Sequence, residues 1–132
     1  MSILGDQTML LLFRGLDAAA LRQRVIAHNL ANLNTPNFKR STVSFEEALV
    51  RAQSSALTPL RTHERHLSPA AAAAEPQVVT DQSAVRRLDG NSVDLEREML
   101  EMVTNQLRYN TYIQQINSRF DNWRFVINEG RR

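Results

Sequence analysis

Two stretches of this chain, one near each end, repeat apolar residues in alternating steps of three and four. That spacing places the apolar residues along one side of an α-helix and is typical of helices that pack lengthwise on one another. It predicts helices over about residues 7–33 and 92–128. The seam residues predicted to pack, inside the molecule or between copies of it, are Leu12, Leu16, Ile26, Leu30, Met99, Met102, Tyr109, Ile113, Ile116, Phe120 and Trp123.

Both predicted helices carry start or stop signals at their ends. The first should end within residues 32–36, because Asn tolerates the left-handed C-cap conformation and Pro36 blocks continuation of the helix. Asn91 and Ser92 offer side-chain oxygens that can cap the start of the second helix. Gly130 is expected to end that helix.

The middle of the chain lacks this periodicity. Ser44 and Glu47 form a capping box, which predicts a short helix through about Gln53. Residues 57–60 and 77–80 are candidates for two short strands, and a small hairpin can form from them. An Ala-rich, linker-like stretch separates the two candidate strands.

The chain therefore divides into two parts. We expect a mainly α protein in which residues 1–34 and 91–132 together form a terminal helical domain. Residues 35–90 are expected to form a small irregular middle region that contains some β structure.

Two helices alone cannot cover the apolar surface that these patterns create. Large aromatic side chains crowd the last two-thirds of the second helix, and each can bury about 150–250 Å². The middle region is short and linker-like, so other chains are the expected cover. The apolar pattern alone is also compatible with two alternatives, an ordinary helical bundle and a symmetric coiled-coil dimer. The aromatic residues are Tyr109, Tyr112, Phe120, Trp123 and Phe125.

Composition and motifs argue against a catalyst or a nucleic-acid binder. The chain has 16 Lys and Arg against 14 Asp and Glu, and the basic residues are scattered in pairs. Having no Cys, it has no disulfides, Cys-based zinc sites or Cys nucleophiles. The stretch from His63 to His66 is not the His-Glu-x-x-His zinc pattern, and no Gly-rich loop is present to hold a phosphate. We expect no enzymatic activity, no cofactor and no metal.

The N-terminal sequence bears on localisation. No Lys or Arg precedes the short apolar run at residues 9–13, as a cleaved secretory signal would require. No stretch approaches the roughly 20 apolar residues that span a bilayer. The chain is expected either to stay in the cytoplasm or to leave by a route that needs no cleaved signal.

A specific motif follows the first apolar seam. Residues 27–40 read Ala-His-Asn-Leu-Ala-Asn-Leu-Asn-Thr-Pro-Asn-Phe-Lys-Arg. The stretch resembles the signature of bacterial flagellar axial proteins of the rod and hook, in which Gly is commoner at the position of Asn37. Asn is the next-best residue at a positive φ, so the turn should survive. The motif residues are Asn29, Ala31, Asn32, Asn34, Thr35, Pro36, Phe38 and Lys39.

Other parts of the chain resemble the same family. Residues 87–99 and 105–109 are similar to the segment that opens the C-terminal helix in proximal rod members. Residues 60–63 and 66–67 are similar to the middle region of those members. The length of 132 residues also fits, because hook and distal-rod relatives usually carry much larger central insertions.

The resemblance implies a fold, a location and partners. The terminal helices would form an antiparallel coiled coil in the inner tube of a hollow helical rod of the flagellar basal body, which crosses the periplasm. The subunit would leave the cell unfolded through the flagellar type III export apparatus, on an uncleaved N-terminal signal. Its partners would be copies of itself, other rod proteins, the adapter protein FliE and the inner-membrane MS ring, with no nucleic acid or small-molecule substrate. The alternatives are another small rod protein of the family and a self-contained helical adapter that binds a partner helix.

Overall fold

Two long helices and a small sheet make up the computed structural model of the chain, which describes residues 7–50, 75–82 and 88–128. The elements follow the order α1 (Gln7–Ala31), β1 (Ser41–Ser44), β2 (Gln77–Thr80) and α2 (Leu95–Ile127). The predicted mainly helical fold is confirmed, because α1 and α2 pack against each other beside the two-stranded sheet. Neither long helix is apolar enough over a sufficient length to cross a membrane.

Helix α1 ends at the Asn-rich turn, as the sequence predicts. Its last residue is Ala31, two residues before the predicted boundary. The backbone N–H of Asn32 donates to the carbonyl of His28 at 3.2 Å, and that of Leu33 donates to Leu30 at 3.2 Å. These contacts tighten the final turn and satisfy carbonyls that a helix end otherwise leaves without partners.

Helix α2 begins at a different cap from the predicted one. Asp94 is the N-cap residue, and its Oδ1 accepts from the backbone N–H groups of Glu96 at 3.1 Å and Arg97 at 3.5 Å. The expectation that Asn91 and Ser92 cap this helix is wrong, because both side chains bind other parts of the chain. The helix ends at Ile127, before the predicted stop at Gly130, which lies outside the described residues.

The two helices meet along a line of small and polar residues. Gly15 lies under the ring of Tyr112, the carbonyl of Ala19 accepts from Asn105, and Asn29 contacts Glu98. Small residues let the backbones approach closely, so the ring of Tyr112 reaches the surface of α1. The buried apolar side chains of the described residues are Met9, Ala18, Ala19, Ile26, Val43, Phe45, Val93 and Ile116.

The sheet joins two segments that the sequence did not pair. Strand β2 is the predicted strand 77–80, and it runs antiparallel to β1 with Ser41 opposite Thr80 and Ser44 opposite Gln77. The predicted partner strand at residues 57–60 lies outside the described residues. Ser44 ends β1, and a helical segment follows at residues 46–50, where a short helix was predicted.

One aromatic residue helps to attach the sheet to the helices. Phe45 follows β1 and is buried against Ala18 of α1, with Ala48 and Leu49 packed around it. Burying a large apolar side chain of this kind contributes about 1.5–3 kcal/mol. Glu46 adds a polar link, since its carboxylate accepts from Arg22 of α1 at 2.8 Å and from Arg108 of α2 at 3.4 Å.

Candidate functional site

Five buried polar side chains meet where the family-like motif ends helix α1. They come from the last turn of α1, the residue before β1, the loop before α2 and the first turn of α2, and each is no more than 5% exposed. We call this cluster the polar junction. It consists of Asn29, Arg40, Asn91, Ser92 and Glu98.

The side chain of Asn91 binds the backbone at the C-terminal end of α1 and does not cap the start of α2. Its Nδ2 group donates to three backbone carbonyls, those of Asn32 at 3.1 Å, Leu33 at 3.0 Å and Thr35 at 2.9 Å. Its Oδ1 accepts from the backbone N–H of Val93 at 2.7 Å. One side-chain amide therefore serves carbonyls that the ending helix and its turn leave without partners.

Asn29 pairs with the backbone of β1 as a second strand would. Its Oδ1 accepts from the Ser41 N–H at 3.1 Å, while its Nδ2 donates to the Ser41 carbonyl at 2.8 Å. The same Nδ2 donates to Glu98 Oε2 at 3.0 Å. The first motif residue thus ties α1 to the start of the sheet and to α2.

Arg40 and Glu98 form an ion pair inside the molecule. Arg40 Nε donates to Glu98 Oε1, and Arg40 Nη2 lies 2.7 Å from Glu101 Oε2 without an aligned hydrogen bond. The backbone N–H of Arg40 donates to Ser92 Oγ at 2.7 Å. Removing charges from water is costly, so such a pair persists only where each charge keeps close partners.

A turn within the motif accounts for its departure from the family pattern at Asn37. Asn37 has φ of 60°, which confirms the prediction that this position needs a residue tolerant of positive φ. Its backbone N–H donates to the carbonyl of Asp89 at 3.0 Å, and it lies against Gly90, whose φ is 80°. The N–H of Ser92 donates to the carbonyl of Phe38 at 3.1 Å. Two loops distant in sequence are therefore joined by their backbones.

The motif residues divide between the junction and the surface. Asn29 is in the junction, whereas Asn32, Phe38 and Lys39 are half-buried beside it. Asn32 Nδ2 donates back to the carbonyl of His28 at 2.9 Å, and Lys39 Nζ donates to the carbonyl of Gly90 at 3.3 Å. The exposed motif residues are Ala31, Asn34, Thr35 and Pro36.

The predicted seam residues also differ in burial. Met99 and Phe120 are 45% and 47% exposed, although the ring of Phe120 contacts that of Trp123 with centroids 5.5 Å apart. Ile26 and Ile116 are buried. The half-buried seam residues are Leu12, Leu16, Leu30, Met102, Tyr109, Ile113 and Trp123.

Sequence reasoning missed three inward-facing polar residues, Arg40, Glu98 and Asn105. Asn105 Nδ2 donates to the Ala19 carbonyl at 2.9 Å and to Gln23 Oε1 at 3.1 Å, while its Oδ1 is buried without a hydrogen bond. A signal for α2 was available, since Glu98 and Asn105 are both polar and are spaced by seven residues. Seven residues make about two helical turns, so such a pair shares one face.

The opposite side of α2 exposes apolar residues in a continuous line. Leu100, Val103 and Leu107 are spaced by three and four residues, and each is more than half exposed. We call these three residues the outer stripe. Leu95 and Met99 extend it toward the N-terminus of α2 and are also exposed. Contiguous exposed apolar surface is typical of interaction sites.

The side chains of the polar junction bind one another and nearby backbone groups. In the part of the chain that the structure describes, no three His, Cys, Asp or Glu side chains are grouped to hold a metal ion. The junction instead joins α1, β1 and α2 into one unit. Its role is therefore structural, because it holds these three elements together.

Comparison with known proteins identifies the class. Residues 9–39, which span most of α1 and the motif, match the family described as flagella basal body rod protein. The matched segment contributes Asn29 to the junction.

Relatives extend the similarity over most of the chain. It is 32% identical over 116 residues to the flagellar basal body rod protein FlgB of Bacillus subtilis (strain 168), covering 88% of this chain and 89% of the relative. It is 38% identical over 107 residues to FlgB of Borrelia hermsii, covering 75% and 79%. With FlgB of Aquifex aeolicus (strain VF5) it shares 35% identity over 95 residues, covering 70% and 69%. The chain belongs to the FlgB family of flagellar basal body rod proteins, and it is a structural component of that rod.

Proposed function

We propose that the chain is a subunit of the proximal rod that polymerises, through its terminal helices, with copies of itself and with other rod proteins into a hollow helical tube. The observation that carries this proposal is the outer stripe. Leu100, Val103 and Leu107 are each more than half exposed, so the described residues leave most of their surface uncovered. Burying each such side chain is worth about 1.5–3 kcal/mol. A neighbouring subunit that covers them therefore gains substantial stability.

Helices α1 and α2 act in this proposal as an antiparallel coiled coil. The contacts between Gly15 and Tyr112, Ala19 and Asn105, and Asn29 and Glu98 support it, because residue numbers rise along one helix as they fall along the other. The terminal parts, 1–34 and 91–132, form the packing domain, and residues 35–90 form the middle region. In this arrangement, the predicted seam residues pack within the subunit or against its neighbours.

An open helical polymer requires heterologous contacts, in which one patch binds a different patch on the next copy. The outer stripe of α2 is one candidate patch. A second is the exposed start of α1, where Leu10 and Phe13 are both more than 40% exposed. The exposed end of α2, at Phe125 and Ile127, is a third.

The remaining partners follow from a position at the base of the rod. There the subunit meets the adapter protein FliE and the inner-membrane MS ring, after leaving the cell through the flagellar type III export apparatus without cleavage of a signal. The rod it builds crosses the periplasm. We assign it no catalytic role, since the named relatives are rod proteins and the buried polar groups bind one another.

A charge placed in the outer stripe tests the proposal. Leu107→Asp should abolish motility and rod incorporation when it replaces the chromosomal copy. Gln114→Asp is the matched control, because Gln114 is exposed on the same face seven residues later, and it should leave motility near normal. Circular dichroism must give equal helix content for both variants. Normal motility of Leu107→Asp would contradict the proposed packing surface.

The position in the rod needs a separate measurement. Immunogold labelling of isolated basal bodies that carry an epitope-tagged subunit should mark the end of the rod nearest the inner membrane. Label along the distal rod or hook would exclude the proximal assignment while leaving membership of the rod intact.

A further inference from the structure

A groove lined by arginines lies between helix α1, strand β1 and helix α2. Its volume is about 510 Å³, which is within the usual range of ligand pockets. Leu100 belongs both to this groove and to the outer stripe, so the two surfaces are continuous. We call the groove the basic groove and define it by Arg22, Val25, Ile26, Arg97, Leu100 and Arg108.

Two arginines of the basic groove share one carboxylate. Arg22 Nη2 donates to both carboxylate oxygens of Glu46, at 2.9 and 2.8 Å. Arg108 Nη1 donates to the same carboxylate at 3.4 Å, and the Arg108 side chain is 49% exposed. A guanidinium has five N–H donors, so Arg108 retains donors for a further carboxylate.

The second carboxylate of the groove is shared in the same way. Glu101 lies 3.2 Å from Arg97 and 2.7 Å from Arg40, and Arg40 also pairs with the buried Glu98. In the whole network, four arginines therefore face three glutamates. The groove keeps an excess of positive charge after its internal ion pairs are formed, and it favours an acidic occupant.

The outer side of α1 carries a patch of complementary character. Leu10 and Phe13 are 43% and 44% exposed, and the exposed Asp17 lies one turn after Phe13. Asp17 forms no ion pair within the ranges 7–50, 75–82 and 88–128 that the structure describes. We call Leu10, Phe13 and Asp17 the acidic patch. It combines apolar side chains with a carboxylate, as an occupant of the basic groove requires.

The acidic patch and the basic groove face opposite directions. Ile26, which lines the groove, lies nine residues after Asp17, and at about 100° per residue the two are on opposite sides of α1. A molecule therefore cannot place its own patch in its own groove. Contact between the patch of one copy and the groove of the next is heterologous, which is the kind of contact that propagates an open helical polymer.

We propose that the basic groove receives the acidic patch of a second copy of this chain, with Asp17 binding beside Arg108 and Phe13 packing toward Leu100. The inference rests on the proposed function, because it names one pair of surfaces through which the subunits polymerise.

Reversal of the two charges tests the pairing. Asp17→Arg and Arg108→Asp, each replacing the chromosomal copy, should lower incorporation into isolated basal bodies by about tenfold, because like charges then meet across the contact. The double variant should regain incorporation, since the charges are again opposite. Asp121→Arg is the matched control: Asp121 is exposed near the end of α2, and the same charge change there should not rescue Arg108→Asp.

Chemical cross-linking tests the same contact with all charges in place. The natural chain contains no Cys, so single thiols can be introduced. One tagged copy carries Ala20→Cys, exposed three residues after Asp17, and a differently tagged copy carries Thr104→Cys in the groove. A short bismaleimide should join the two tags in basal bodies. Ala31→Cys, roughly 16 Å further along α1, should not be joined to Thr104→Cys.

The outcomes separate this pairing from the proposed function. Cross-linking between the two tags supports the pairing, as does rescue by the double charge reversal alone. Normal incorporation of both single charge variants, or cross-linking of Thr104→Cys only to a different protein, would overturn it. If either charge variant fails to fold, the cross-link alone decides, and its absence overturns the pairing. Absence of the unchanged subunit from isolated basal bodies would instead contradict the proposed function itself.

Discussion

The ring of Tyr112 lies against the backbone of Gly15, where a Cβ atom would come within 2.7 Å of the ring carbon Cζ. Glycine within a helix costs about 1 kcal/mol relative to Ala, so its presence here has a packing reason.

The contact between Gly15 and Tyr112 predicts that the effect of Gly15→Ala on stability changes sign when the ring is removed. Gly15→Ala should destabilise the protein by about 1 kcal/mol, because overpacking outweighs the gain in helix propensity. In a Tyr112→Leu background, which removes the ring, the same substitution should stabilise by up to about 1 kcal/mol. Urea denaturation of the four proteins in this double-mutant cycle measures both values. Stabilisation by Gly15→Ala in both backgrounds would contradict the contact.

Asn91 should be the most sensitive residue of the loop before α2. Asn91→Ala removes a donor to the carbonyls of Asn32, Leu33 and Thr35, and each buried acceptor left without a partner is costly. We expect a loss of about 2–3 kcal/mol in the free energy of unfolding. Asn91→Asp should be at least as harmful, because it keeps the acceptor for Val93 but places a charge beside three carbonyl oxygens.

An exposed motif residue supplies the control for Asn91. Asn34→Ala should change the free energy of unfolding by less than about 0.5 kcal/mol, since Asn34 is exposed. Equal losses for Asn34→Ala and Asn91→Ala in urea denaturation would show that the turn, rather than the amide of Asn91, determines stability.

Breaking the buried ion pair between Arg40 and Glu98 should cost more stability than breaking the exposed pair between Arg97 and Glu101. Glu98→Leu alone leaves Arg40 buried beside Glu101 only, and it should cost about 3–5 kcal/mol. Adding Arg40→Met should recover much of that loss, because no buried charge then lacks its partner. Arg97→Ala, in the exposed pair with Glu101, should cost less than about 0.5 kcal/mol. Chemical denaturation of each variant measures these losses in the free energy of unfolding. If the losses for Glu98→Leu and Arg40→Met simply add in the double variant, the two residues do not form the described pair.

The helices, the motif turn and strand β2 could be predicted from sequence because their signals are local. Apolar spacing depends only on the chain within a helix, and the need for positive φ at Asn37 depends only on the turn. The pairing of Ser41–Ser44 with Gln77–Thr80 could not be predicted in this way, since it joins segments about 35 residues apart. The capping-box pattern at Ser44 predicts a helix and does not indicate strand β1.

The orientation of α2 was harder to predict than its extent. Pattern reasoning places the most apolar line of a helix against its partner, and it therefore set Met99 on the seam and left Glu98 unassigned. The structure buries Glu98 because Arg40, from a different segment, supplies the opposite charge. A partner of that kind can be found only when the chain is folded, so periodicity in one helix could not reveal it.

Gly90 supplies the last prediction, because two constraints coincide at this residue. Its φ is 80°, and an added Cβ would lie 2.3 Å from Asn37 Oδ1. Gly90→Ala should therefore lower the free energy of unfolding by about 2 kcal/mol, from backbone strain and from the clash. Asn37→Gly removes the clash but not the strain, so combining it with Gly90→Ala should recover part of the loss. Thermal unfolding of both single variants and the double variant measures this, and a harmless Gly90→Ala would contradict the described turn.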